Sequence, residues 1–203
     1  MESGLNNFMK KIILMFLLIA PISFAQSFEF GEAKGLFMSV GVGPRFPIGY
    51  FGSRNSIGIG FDVNFSYTDN VWLPVFLYTS LGYQNYSGRQ DLYKTSDYSS
   101  YSSNVIIVKS GVRFYFPPLI ENVVLLMPIV DAGLEYGFFE NFHQFKVDRN
   151  IPSYVEQQGK FGFHLGGGFS MFILDVITYY NYLYKNQYIS FDIKANIPIF
   201  VTM

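Results

Sequence analysis

Between Ser56 and Tyr67 every second residue is apolar: Ile57, Ile59, Phe61, Val63, Phe65 and Tyr67 alternate with Gly58, Gly60, Asp62, Asn64 and Ser66. Side chains of a strand point alternately to its two faces, so this period of two predicts a strand with one oily face and one small, polar face. A water-exposed sheet surface would carry Lys, Glu and Thr. Glycines, one carboxylate and one amide instead suit a narrow interior where neighbouring walls crowd together. An oily outside around a tight polar inside is the pattern of a membrane-barrel strand.

The alternation recurs and predicts eight strands at about residues 35–45, 56–67, 72–86, 105–116, 123–138, 160–173, 175–184 and 188–200. In the first, Leu36, Met38, Val40 and Val42 oppose Ser39, Gly41, Gly43 and Arg45. In the fourth, Val108, Val112 and Phe114 oppose Lys109, Gly111 and Arg113, with Ser110 as a blemish on the oily side. The fifth sets Val130, Leu134 and Tyr136 against Asp131, Gly133 and Glu135, and the sixth sets Phe161, Phe163 and Leu165 against Gly162, His164 and Gly166. The eighth sets Ile189, Phe191 and Ile193 against Ser190, Asp192 and Lys194. Phe76 interrupts the third strand, and the tyrosine-rich seventh has no clear facing.

The connections at 46–55, 87–104 and 139–159 are long, whereas 68–71, 117–122, the turn near Leu174 and 185–187 are short. Long and short therefore alternate until the last, as in outer-membrane barrels with short periplasmic turns and longer outer loops. Pro44, Pro47, Pro117 and Pro118 lie at predicted strand ends, where a missing N–H does little harm. Pro74, Pro128 and Pro198 fall within or near strands and call for bulges or rim positions.

Composition narrows the setting. Only 14% of the 203 residues are charged, against roughly 25% in soluble domains, while 50% are hydrophobic. Past the N-terminus no apolar run reaches the roughly 20 residues of a spanning helix, so strands would have to do the crossing. Residues 1–25 read as a Sec-type signal peptide: Lys10 and Lys11, the apolar run from Ile12 to Ala20, and Ser23-Phe24-Ala25 before the expected cut, with Met9 as an alternative start. This predicts export, a short periplasmic tail over 26–34 and a barrel domain over 35–203. The absence of cysteine removes disulfides, thiolate metal sites and a lipid-anchoring cysteine. A net charge of −1 without a basic run gives no footing for nucleic-acid binding.

The leader, the alternating strands, the glycine-lined face and the loop rhythm together resemble the small eight-stranded outer-membrane barrels typified by OmpA and OmpX, over about residues 35–200. The resemblance implies an all-β, eight-stranded antiparallel up-and-down transmembrane β-barrel in the outer membrane of a Gram-negative bacterium, surrounded by outer-membrane lipid and needing no cofactor. It includes no catalytic signature, so it implies a structural or surface-interaction protein rather than an enzyme. An accessory subunit of a larger outer-membrane transport or secretion complex is the alternative, and a lipid-modifying enzyme or narrow pore the third reading. A soluble lipocalin-like barrel would expose Leu, Ile and Phe to water in every strand. One departure from the family pattern is the C-terminus, Phe200-Val201-Thr202-Met203, where such barrels commonly end on an aromatic.

Inside such a cylinder the charges balance: Arg45, Lys109, Arg113 and Lys194 against Asp62, Asp131, Glu135 and Asp192. An eight-stranded barrel is just wide enough for side chains to fill it, and buried charges are costly unless paired. These eight are therefore expected to form a plug of ion pairs, with His164 hydrogen-bonded within it; a charge-lined pore or proton path would use the same residues. Glu140, His143 and Ser153, in the fifth connection, are the residue types a lipid-modifying hydrolase would need, but nothing in the sequence fixes their geometry. No histidine cluster has metal-ligand spacing. Gly166-Gly167-Gly168 lacks the lysine and following helix of a phosphate loop and reads as barrel-wall glycine. The Tyr- and Ser-rich connection at 87–104 is the candidate recognition surface, with Tyr93, Tyr98 and Tyr101 as anchors. Tyr67, Trp72, Tyr86, Tyr115, Tyr184 and Tyr188 are expected in the aromatic girdles at the two membrane interfaces.

Overall fold

In the structure, a computed structural model describing residues 33–69, 72–119, 126–149, 151–171 and 173–201, the alternating segments pair side by side into a ring. The expected leader and most of the tail lie outside the described residues; Ala33 and Lys34, expected in the tail, open the first strand. The strands are β1 (Ala33–Ile48), β2 (Gly58–Asp69), β3 (Val75–Ser87), β4 (Tyr98–Tyr115), β5 (Leu126–Phe145), β6 (Tyr154–Met171), β7 (Leu174–Leu183) and β8 (Asn186–Val201). Each is antiparallel to its sequence neighbour, and β1 closes on β8. Two short helices, α1 (Gly49–Arg54) and α2 (Gln90–Thr95), sit at one rim.

The period of two sets the facing throughout. Val40, Ile59, Phe61, Leu81, Val108, Leu134, Leu165, Phe163 and Ile193 are exposed on the outside, while Ser39, Asp62, Ser80, Asp131, His164 and Asp192 are buried inside. The ambiguous seventh strand resolves as Asp175, Ile177, Tyr179, Asn181 and Leu183 inward. Ser110, on the outer face, returns its hydroxyl to the Tyr78 carbonyl at 3.2 Å. Phe76 keeps its inward register near the opposite rim, where its ring meets Phe37 and Tyr115. Among the prolines within or near strands, Pro74 precedes β3, Pro198 sits where the β1–β8 register shifts, and the Pro128 carbonyl accepts the Phe116 N–H at 2.9 Å.

The long loops differ from expectation. Residues 98–104 and 139–145 continue β4 and β5, and β6 already begins at Tyr154, so three strands stand above the ring. The pairing of β5 with β6 runs out to His143↔Tyr154, whereas β6 with β7 stops at Gly162↔Leu183. The connection at 116–125 is as long as that at 88–97, so the overhang, more than loop length, distinguishes the two rims. On the outward face, apolar Ile106, Phe138 and Phe161 give way to Asn104, Glu140 and Gln157 along these strands. The oily alternation thins there, with Phe142 paired to Val155 as its last outward apolar pair, although the strands continue, which is why the pattern placed loops too early.

The girdle expectation is corrected as well. Tyr86 and Tyr188 are fully buried inside, and Tyr115 turns inward to Phe76 and Asp175. Tyr184 and Trp72 are exposed on the outside near the two rims as expected, with Tyr83 and Tyr136 also on the upper part of the outer band and Phe116 near the other rim.

Candidate functional site

All eight charged residues expected inside point inward, and they fall into two linked chains. Across β1, β2 and β8, Arg45 Nη1 lies 2.5 Å from Asp192 Oδ1 and Nη2 lies 3.7 Å from Asp62 Oδ2, while Lys194 Nζ reaches Asp62 Oδ1 at 2.7 Å. Across β4, β5 and β7, Arg113 Nε lies 2.9 Å from Asp131 Oδ2 and Nη1 lies 3.2 Å from Asp175 Oδ2, and Nη2 donates to the Tyr179 hydroxyl at 3.1 Å. Lys109 links the two, 3.6 Å from Glu135 Oε2 and donating to Asn181 Oδ1 at 2.6 Å. Asn181 passes the chain to Ser190, whose hydroxyl donates to Asp192 at 3.2 Å. The ring of Tyr179 lies beneath both Lys109 and Lys194, giving each ammonium an aromatic face as well as its partners.

Sequence reasoning missed four members of this network: Asp175, Tyr78, Tyr179 and Asn181. With Asp175 the interior holds five carboxylates against four cations, and His164 stands between two of the carboxylates. Its Nε2 is 3.4 Å from Asp131 and its Nδ1 3.9 Å from Glu135. The Tyr78 hydroxyl donates to Asp131 Oδ1 at 2.5 Å and contacts His164 Nε2. Glycines make room for these rings: a Cβ at Gly133 would come within 2.8 Å of His164, and one at Gly166 would overlap Tyr179. Gly166, Gly167 and Gly168 are thus part of the β6 wall.

Apolar side chains flank the charges at both ends. Toward the opposite rim, Ile129 and Ile177 pack with Tyr179 and Tyr115. Toward the overhanging rim, Tyr86, Val105, Ile107, Phe139, Leu183 and Tyr188 form a buried layer. Helix α1 tucks Phe51 against it, 4.9 Å from the Tyr86 ring and 5.9 Å from Phe139. The layer's two polar ends are matched, Tyr86 donating to Gln84 at 2.8 Å and Gln84 to Tyr188 at 3.0 Å.

The candidate hydrolytic set does not assemble. Glu140 and His143 project to opposite faces of β5, Glu140 being held by Gln157 Nε2 at 3.0 Å, and Ser153 lies exposed before β6. His143 is buried instead against Tyr154, its ring stacked at 4.4 Å, with Tyr98 on Nδ1 at 2.9 Å and Glu156 on Nε2 at 3.3 Å. The three tyrosines expected as free recognition anchors are engaged as well. Tyr93 donates to the Tyr101 carbonyl at 3.1 Å and accepts its N–H at 3.2 Å, fastening α2 to β4. Tyr98 stacks on Phe145 at 4.7 Å, and Tyr101 is 5% exposed and turned toward a cavity at the rim. That cavity, of about 580 Å³, lies among Phe51, Arg54, Asn55, Tyr101, Lys160 and Lys185.

Neither a protein-family model nor a curated protein sequence matches the chain. Solved structures do. Neisserial surface protein A superposes with a TM-score of 0.51 at 13% identity, over 81% of this chain and 97% of that one. A major outer membrane protein from Thermus thermophilus gives 0.49 at 12% identity over 81% and 99%, and Ail, the attachment invasion locus protein of Yersinia pestis, gives 0.45 at 13% identity over 81% and 99%. At such identities the likeness to Neisserial surface protein A speaks to the fold, an antiparallel up-and-down barrel.

Proposed function

We propose that the chain is an integral outer-membrane barrel whose lumen is blocked by its own side chains and whose overhanging rim faces the exterior as a surface-interaction platform. The oily outer faces of the strands support the membrane setting, because a soluble monomer does not carry an apolar band that runs round the whole ring with only a few hydroxyls such as Thr79, Ser110 and Thr178 in it. The observation that carries the blocked lumen is the pair of ion-pair chains running from Arg45 through Asp192, Asn181 and Lys109 to Glu135, and from Arg113 to Asp131 and Asp175. An open channel would leave these groups hydrated, whereas here most are nearly inaccessible and bonded to each other. The overhang of β4–β6 beyond their neighbours supports assigning that rim, with the two helices, to the exterior, since outer-membrane barrels extend on their outer side. Planar-bilayer recording of the purified, folded protein tests the blocked lumen: no stable conductance of porin size is expected, and reproducible large steps would overturn it.

A further inference from the structure

The rim cavity is floored by Phe51 and backed by the overhang of β4–β6. Its wall is low on one side. There β7 and β8 join through Tyr184 and Lys185, while β6 continues from Gly162 to Tyr154 without a partner strand on that side. This low lip lies level with the top of the oily outer band, between outward Phe161 and outward Gln157, and Tyr184 on it is 63% exposed. The cavity therefore opens sideways, over the β7–β8 lip at the top of the oily band.

Its lining holds Arg54, Lys160 and Lys185 against one carboxylate, Glu156, which is turned to His143. Arg54 lies over Tyr50 at 4.9 Å, Lys160 over Phe139 at 5.5 Å and Lys185 over Tyr184 at 5.3 Å. Among the described residues none of the three forms an ion pair, unlike the cations of the lumen. Lys185 holds a φ of 63°, a left-handed conformation for which Gly or Asn is the favoured residue, so a strained lysine occupies the lip. Asn55, in the same lining, is 3% exposed; its amide donates to the Phe51 carbonyl at 3.2 Å and stands beside the Tyr101 hydroxyl, while its Oδ1 has no hydrogen-bond partner among the described residues. Unpaired cations, aromatic faces and an acceptor awaiting a donor are together suited to a sugar that carries an acidic group.

We propose that this cavity binds a phosphate-bearing saccharide, with the headgroup of an outer-leaflet glycolipid entering over the β7–β8 lip as its source. Arg54, Lys160 and Lys185 take the anion, and Asn55 takes a hydroxyl. The proposal rests on the outward orientation of this rim but not on the state of the lumen.

Native mass spectrometry of the folded full chain in mild detergent tests it, with bis-phosphorylated lipid A, dephosphorylated lipid A and soluble glucosamine phosphate as probes. Phosphorylated lipid A is expected to bind about tenfold or more tightly than the dephosphorylated form, and Lys160→Gln and Lys185→Asn are each expected to remove about tenfold. Lys185→Asn suits the left-handed turn, so retained heat-modifiable gel mobility certifies folding while the charge is gone. Glucosamine phosphate binding as tightly as lipid A would overturn the membrane source while supporting the anion site. Equal binding of both lipid A forms, or indifference to both substitutions, would overturn the site itself; the bilayer recording stands independently of either result.

Discussion

Arg113 meets two carboxylates and a phenol at once, so the interior around it has no spare cation to take its place. Arg113→Met would leave Asp131 and Asp175 facing each other's charge in a site with almost no water access, and removing one partner of such a buried set costs about 3–5 kcal/mol. The same change at Lys94, exposed on α2, is expected to stay within about 0.5 kcal/mol. Urea unfolding of the two variants in lipid vesicles checks the contrast, and equal losses would mean the ion pairs do not hold the interior. The eight expected charges were legible because each sits in a strand whose other face is plainly oily. Asp175 was not, because β7 puts tyrosine on both faces: Tyr179 is buried while Tyr180 lies outside. Tyrosine suits a polar interior and a membrane interface alike, which removes the contrast that facing arguments need. The missing signal lay in the turn. A two-residue connection at Tyr184-Lys185 fixes Leu183 opposite Asn186, and counting back along that ladder brings Asp175 opposite the inward Lys194.

At the level of strands, β4–β6 outgrow the ring because their inner and outer faces obey different rules. Inside, Tyr101, Ser103, Asn141 and His143 continue the buried register, while outside Ser102, Asn104 and Gln144 have no lipid to face. A search for oily alternation stops at the edge of the band, and a pattern of Tyr, Ser and Asn then reads as loop although its inward register persists. Tyr101 reports on this overhang. Burial pushes its hydroxyl up to about 12, with Arg54 opposing and Glu156 adding to the rise. The unfolded chain ionises tyrosine near pH 10, so the contribution of Tyr101 is intact below about pH 10 and is lost as pH rises toward about 12, a fall of about 2–3 kcal/mol. Stability measured across that window should drop further in the native protein than in Tyr101→Phe, which has no proton to lose. Superimposable curves would show that the hydroxyl is solvated and the overhang loosely packed.

For the whole molecule, the two-faced strands, the inward charges and the rim cavity all depend on which medium touches the outside of the ring. The outward face of β6 offers a controlled comparison, since Leu165 lies mid-band opposite Ala132 and Tyr180 while Gln157 lies on the same face of the same strand above it. If acyl chains surround the band, Leu165→Arg places a guanidinium in hydrocarbon and costs about 2–4 kcal/mol, whereas Gln157→Arg, at or beyond the headgroups, costs about 0–1 kcal/mol. Water around the ring reverses the order, because replacing a 54% exposed leucine by arginine then removes an apolar liability and stabilises or does nothing. Reversible unfolding from phospholipid vesicles measures both substitutions on one scale. The depth dependence also bears on the cavity: the nearer the cost at Gln157 lies to zero, the more firmly the β7–β8 lip belongs at headgroup height, where a glycolipid's anionic sugar could reach Lys160 and Lys185.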